Sequence, residues 1–174
     1  SIGFQDDVPA LLARVEEAVA SGYQRVKMKI GRGRDVEWVR ARFPGRRVVY
    51  LPVTRSTMRD AAALAAEDCA SGAVVVAGEQ TAGQGRLGRT WHSEPGAGLY
   101  ASVVLRLPLP VLRLPVVTLA LGLAAVDAIA LAAGLRCDLR WPNDVLAGGL
   151  KCAGILVDGH IDALVAGIGV NVNH

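Results

Sequence analysis

Residues Gly83-Gln84-Gly85-Arg86-Leu87-Gly88-Arg89-Thr90 satisfy two phosphate-binding patterns at once, and the residues after them exclude both. Gly83, Gly85 and Gly88 spell GxGxxG. Gly83 and Gly88 followed by Arg89-Thr90 nearly spell a P-loop, with Arg where Lys is required. Each pattern works by presenting a phosphate to the N–H groups and dipole of a helix that starts straight after the glycines. Here Trp91-His92-Ser93-Glu94-Pro95-Gly96-Ala97-Gly98 comes next, a stretch unfit for a helix, and Leu99 to Leu107 then reads as a strand. The unit is strand–loop–strand, so a doubly wound nucleotide fold is excluded. The loop keeps its chemistry, because glycines let backbone approach a ligand and Arg86 and Arg89 offer planar forks for phosphate or carboxylate. Taken alone it reads equally well as a solvated basic hairpin loop.

The surrounding pattern predicts short strands over Arg47 to Val53, Ala73 to Ala77, Arg136 to Trp141, Leu150 to Val157 and Ala163 to Val172. An alanine-rich helix running to about Cys69 has Ser56 or Thr57 as its cap, and a long helix covers Val116 to Ala133. Pro108, Pro110 and Pro115 mark a loop, while Gly148-Gly149 and Asp158-Gly159 are the expected hairpin turns. Ahead of these, Asp7 to Gly22 has helical spacing, Arg25 to Ile30 alternates as a strand, and Asp35 to Arg42 is a short helix before the turn Phe43-Pro44-Gly45.

At 174 residues and 52% hydrophobic the chain is of one-domain size and can bury a core. Nineteen basic against sixteen acidic residues leave +3, which suits an anionic ligand but not a nucleic-acid coat. Cys69, Cys137 and Cys152 are odd in number and widely spaced, which fits a reducing cytoplasm better than a disulfide scaffold or a zinc site. Ser1 to Asp7 shows no signal peptide. Leu114 to Leu135 holds one charge, Asp127, but its Pro, Thr, glycines and alanines favour a buried helix over a membrane span.

Three further segments carry polar groups on strand ends. Arg140-Trp141-Pro142-Asn143-Asp144 fixes an extended turn with Asn and Asp at its tip, and Lys151 follows eight residues after Asn143. Lys151-Cys152-Ala153-Gly154-Ile155-Leu156 puts one lysine at the mouth of an apolar strand. Gly167-Ile168-Gly169-Val170-Asn171-Val172-Asn173 alternates glycine and then asparagine on one face. Individually these are turn closers and core residues: Ser56 and Thr57 helix caps, Trp91 and Trp141 core, Cys152 a small core residue. His92, His160 and His174 form no metal set, and no protein metal site is assigned.

In this order the segments resemble the catalytic domain of the biotin–protein ligase family over about residues 46 to 174. The family's GRGRxGRxW loop corresponds to Gly83 through Trp91, its KWPND to Arg140 through Asp144, and its KxxGIL to Lys151 through Leu156. Its early DSTN-like motif corresponds to Arg55-Ser56-Thr57-Met58, with Gln80 at the glutamine position ahead of the loop. The resemblance implies an α+β fold of the class II aminoacyl-tRNA synthetase type, a mixed and mainly antiparallel sheet flanked by helices. It implies a two-step reaction, in which biotin and ATP with Mg²⁺ give biotinyl-5'-adenylate and a lysine of a biotin carboxyl carrier protein then takes the biotinyl group. Lys151 and Arg86 are the implied catalytic residues, touching both substrates. Ser56, Thr57, Met58, Gln80, Gln84, Gly85 and Gly154 fall to biotin, and Arg89, Trp91, Asn143 and Asn171 to the nucleotide. No nucleic-acid or membrane partner is expected, and a homodimer is left open.

The departures are Arg55 for the acidic residue, Met58 for Asn, Gln84 for the first loop arginine and Arg140 for Lys. The family's small C-terminal β-barrel is expected to be absent, since His174 falls just past the GIGVNVN strand. Two alternatives therefore stand beside the ligase: a core that binds biotin or its adenylate without turnover, and a lipoate-ligase-like acyltransferase. Residues 1–45 instead resemble a helix–strand–helix fragment of an enolase-superfamily barrel of the o-succinylbenzoate synthase type, with Lys27 and Lys29 on its K-x-K strand.

Overall fold

The computed structural model of the protein describes residues 34–107 and 114–173. The helix and strand expected before residue 31, with Lys27 and Lys29, and the loop around Pro108 and Pro110 lie outside the described residues. Among the described residues, the helices are α1 (Arg34–Arg42), α2 (Thr57–Ala66) and α3 (Leu114–Ala133). The strands are β1 (Val48–Leu51), β2 (Val74–Ala77), β3 (Gly98–Leu105), β4 (Cys137–Arg140), β5 (Asp144–Ala147), β6 (Leu150–His160) and β7 (Ala163–Asn171). They form one sheet in the order β1-β2-β3-β7-β6-β5-β4. Of these pairs only β1 and β2 run parallel, which is the mixed, mainly antiparallel α+β arrangement expected.

Side-chain alternation sorts the two faces. Val165 and Leu156 pack with Met58, Ala61, Leu64 and Ala65 of α2 on the front of the sheet. Ala153, Ile155, Ile168 and Val170 pack with Leu121, Ala125, Val126 and Ile129 of α3 on the back. Alanine's high helix propensity makes α2 a helix, and its small side chains let it lie close on the strands. Gly122 does the same for α3, since a Cβ there would come within 2.7 Å of a Leu139 methyl.

Several expectations need correction. The strand β5 is not among those expected: Trp141-Pro142-Asn143 is a turn, and Asp144–Ala147 returns along β4. Gly148 and Gly149, both at positive φ, therefore join β5 to β6 and not β4 to β6. Asp158-Gly159 does not turn, because β6 runs on to His160 and pairs with Ala163; the reversal falls at Ile161-Asp162, with Asp162 at φ 59°. Pro115 lies inside the first turn of α3, where no intrahelical N–H is needed. That helix, at mean hydropathy 2.2, is long and apolar enough to cross a membrane, yet here it packs on β4, β5 and β6. The sequence favours a buried helix, but only Val117, Gly122 and Ala125 of it are buried, and Val116, Leu123 and Leu131 face outward.

One side chain closes the end of the front layer. Arg106 donates to the Cys69 carbonyl at 2.9 Å, to Ala65 at 2.9 Å and to Asp162 at 3.1 Å, and sits 3.2 Å from the Asp68 carboxylate. It thus satisfies open carbonyls at the C-terminus of α2 and ties them to the β6–β7 turn. Arg106→Ala is expected to cost about 2 kcal/mol, the scale of lost charge-assisted hydrogen bonds. Lys at this position should restore little, because it lacks the planar fork. Urea denaturation of the two variants checks both statements.

Candidate functional site

The site starts from two glycines. Gly154 of β6 and Gly169 of β7 are direct partners in the ladder, so two neighbouring strands present bare backbone at one spot on the front face. The indole of Trp91 lies flat on that window. A Cβ on Gly154 would come within 2.9 Å of Trp91 Cζ3, and one on Gly169 would overlap the ring outright. The indole N–H is buried and meets no acceptor among the described residues. Orphaned buried donors are uncommon in folded proteins and are ordinarily met by an ordered water or a bound group. Next to the ring, Lys151 Nζ stands 5.2 Å from its centroid and 2.7 Å from Asp144 Oδ1. Both partners of that pair are partly open to solvent, so it orients Lys151 more than it stabilises the fold.

A directed chain of hydrogen bonds forms one wall. Gln80 Oε1 accepts from the Thr57 backbone N–H at 2.8 Å and from the Thr57 hydroxyl at 3.0 Å. With that proton committed, the Thr57 oxygen accepts from Ser102 Oγ at 2.8 Å. Gln80 Nε2 donates to Ser93 Oγ at 2.8 Å, and Ser93 reaches the Trp91 carbonyl at 3.3 Å. The two donors on one side fix the orientation of the amide, and Gln80 keeps a second N–H for a ligand. This corrects the capping expectation. Ser56 occupies the boundary of α2, but its hydroxyl donates to Gln84 Oε1 at 3.2 Å, and the free N–H of Thr57 is met by Gln80 from another segment.

The glycine loop crosses in front. Gln80 bridges to Ser93 and Gln84 to Thr90, with a single 3-10 turn, Arg86–Gly88, at its tip; no helix follows, as expected. Gly83 is required by packing, since a Cβ would overlap the Trp91 carbonyl and lie 2.9 Å from Ser93 Oγ. The exposed Arg86 lines the cavity, whereas the side chain of Arg89 does not, and its carbonyl instead accepts from Gly85 N at 2.7 Å.

Of the residues named from sequence, Thr57, Met58, Gln80, Gln84, Gly85, Arg86, Trp91, Asn143, Lys151 and Gly154 converge on one cavity. Ser56, Arg89 and Asn171 do not line it. Asn143 clasps β6, its amide donating to the Ile155 carbonyl at 3.2 Å, and Asn171 reaches the Lys151 carbonyl at 3.5 Å. Ser93 and Ser102, which the sequence does not single out, belong to the arrangement, as do Asp144, Gly167 and Gly169, which it names without a site role. Glycine at alternate positions of an apolar strand is the available signal for the last two. The cavity holds only about 40 Å³, room for a few waters, because Trp91 fills it. Small-molecule sites run to several hundred Å³. Among the described residues no three His, Cys, Asp or Glu side chains gather as a metal cage.

Residues 50–173 match the biotin/lipoate A/B protein ligase family. The chain is 37% identical over 167 residues to the bifunctional ligase/repressor BirA of Bacillus spizizenii, covering 91% of this chain and 51% of that protein. It is 41% identical over 124 residues to the biotin–[acetyl-CoA-carboxylase] ligase of Mycobacterium tuberculosis, covering 68% and 47% respectively. The chain thus spans about half the length of the curated relatives it matches. Biotin protein ligase from Leishmania major, solved in complex with biotinyl-5-AMP, superposes with a TM-score of 0.66 at 32% identity, covering 72% of this chain and 57% of that one. The fold is of the class II synthetase type shared by such ligases. A 47-residue stretch, 25% of the chain, is 53% identical to 13% of the o-succinylbenzoate synthase of Enterococcus faecalis.

Gln80→Ala should destabilise the protein by about 1 to 3 kcal/mol, because it leaves the Thr57 backbone N–H without its acceptor. Gln80→Glu keeps the acceptor but loses the donor to Ser93, and should cost less. Chemical denaturation of both variants measures the order.

Proposed function

The chain belongs to the biotin/lipoate A/B protein ligase family, and on that footing we propose that it activates biotin with ATP and passes the biotinyl group to a lysine of a carrier domain. One observation carries the reading: the cations Lys151 and Arg86 and the polar wall at Thr57 and Gln80 share one cavity whose floor is the glycine window.

A carboxylate meeting a triphosphate is a repulsive pair, so the chemistry needs positioning and neutralisation before anything else. Lys151 and Arg86 hold the biotin carboxylate against the α-phosphate. The carboxylate oxygen forms a bond to phosphorus while the bond to the pyrophosphate oxygen breaks, leaving biotinyl-adenylate and pyrophosphate. The carrier's lysine amine then attacks the acyl carbon, AMP leaves, and the amine loses a proton. The ureido head of biotin donates and accepts hydrogen bonds, which suits the spare N–H of Gln80 and the Thr57 hydroxyl oxygen. A dithiolane ring has no such groups, so the polar wall favours biotin over lipoate. Trp91 leaves the glycine window on binding, the acyl chain takes its place, and the indole then covers the adenylate, excluding water from the mixed anhydride. Met58 shapes the wall from α2, Ser56 holds Gln84, and Asn143 and Asn171 hold the strand that bears Lys151. Mg²⁺ would be bound mainly through nucleotide phosphates, which fits the lack of a carboxylate cage among the described residues.

Biotin-dependent ATP–pyrophosphate exchange tests this. Lys151→Ala should lower exchange by about 10²- to 10³-fold, while Arg89→Ala should change it far less. Biotin binding without exchange would identify a binding core. Lipoate-driven exchange would identify the other branch of the family, and absence of both binding and exchange would overturn the proposal.

A further inference from the structure

We propose that Cys137 and Cys152 form a low-coordinate site for a soft, thiophilic cation of the copper(I) class, on the back of the sheet behind the glycine window. Their sulfurs lie 4.0 Å apart. Cys137 opens β4 and Cys152 sits in β6, at the register shift opposite Val145 and Leu146. Both strands pair with β5, one on each side of it. The thiols therefore reach toward each other across β5, and Cys152 Sγ comes within 3.4 Å of the Val145 carbonyl on the way.

That geometry decides between two fates for the pair. A disulfide needs Cα atoms within about 7 Å and sulfurs about 2 Å apart, a tight demand on residues of two strands with a third between them. A bridging cation needs much less. With metal–sulfur bonds of about 2.3 Å, two thiolates stand roughly 3.8 Å apart around a tetrahedral ion and about 4.6 Å apart around a linear one. The observed separation falls inside that interval. A zinc site would want four ligands, and no third His, Cys, Asp or Glu joins the pair among the described residues. Two thiolates in an apolar layer suit a soft monovalent ion instead.

The surroundings agree. Leu121, Val126, Ile129 and Leu139 pack in the same cluster as both cysteines and keep the space dry. Neither thiol is fully buried, and the exposed Leu135 and Arg136 beside Cys137 leave an entry route. Burial, and then the neighbouring Cys137, push the Cys152 thiol above its ordinary range. Binding exchanges two thiol protons for one cation, leaving an anionic dithiolate complex with no change of oxidation state. Affinity should therefore rise with pH.

The test uses the reduced full chain under anaerobic conditions, with Cu(I) buffered by a chromophoric chelator. One Cu(I) per chain should be retained, with ultraviolet thiolate-to-copper absorption and a raised Tm, since the ion clamps β4 to β6 across β5. Cys137→Ala and Cys152→Ala should each weaken binding by about tenfold or more. Cys69→Ala should not, because Cys69 lies in the other core cluster. Should one alanine variant fail to fold, the other and Cys137→Ser still decide. Unchanged affinity in a folded single variant, or loss on Cys69→Ala alone, overturns the site. Ready formation of a Cys137–Cys152 disulfide on mild oxidation, seen by peptide mass mapping, would equally overturn the geometry.

Discussion

Strand β7 is hydrogen-bonded along its length on both sides, to β3 from Leu164 through Asn171 and to β6 from Ala163 through Val170, and the rest of the molecule depends on that double pairing. Its odd positions face the front, where Val165 meets α2, Gly167 admits the Met58 sulfur and Gly169 carries the Trp91 ring. Its even positions face the back, where Ile168 and Val170 seat α3. A register slip of one residue would put both glycines under α3 and two large side chains into the cavity. Glycine inside a strand costs roughly 0.5 to 1 kcal/mol relative to alanine. The chain bears that cost twice in three residues, at the two points where a ring and a thioether approach the backbone.

The cavity is then finished from outside the sheet. Gln80 links the start of α2 to the returning arm of the glycine loop, so the loop and the helix cannot move independently. Lys151 enters from β6 and is steadied by Asp144 from β5, one residue past the Trp141-Pro142-Asn143 turn. Separate segments converge because β6 and β7 hold their backbones at fixed spacing. The result is a narrow apolar slot with cations at its mouth and amide and hydroxyl groups on its wall. On the proposed reading, such a slot takes an acid with a polar head and an aliphatic chain.

Much of this is legible in the sequence, and the failures share a cause. Strands with long apolar or β-branched runs, such as Leu99 to Leu107 and Ala163 to Val172, are placed within a residue or two. Asp144–Ala147 escapes notice because four residues of mixed character carry too little periodicity, and only its pairing with β4 and β6 makes it a strand. Asp158-Gly159 looks like a turn by composition, yet the ladder with β7 keeps both extended. Local propensity loses to tertiary pairing in each case. At the site, motif order assembles ten cavity residues from distant segments, but it credits Gly83 to ligand approach when crossing backbone demands it. The partners Ser93 and Ser102 leave no local signal, because their roles exist only through residues far away in the chain, and Asp144 reads only as a turn residue.

Everything at the site rests on the glycine window. A crystal structure of the protein with biotin bound tests it most directly. The expected result is the Trp91 indole lifted off Gly154 and Gly169, with the aliphatic chain of biotin lying in its place and Lys151 on the carboxylate. Biotin seated elsewhere, with the indole still flat on the two glycines, would contradict it.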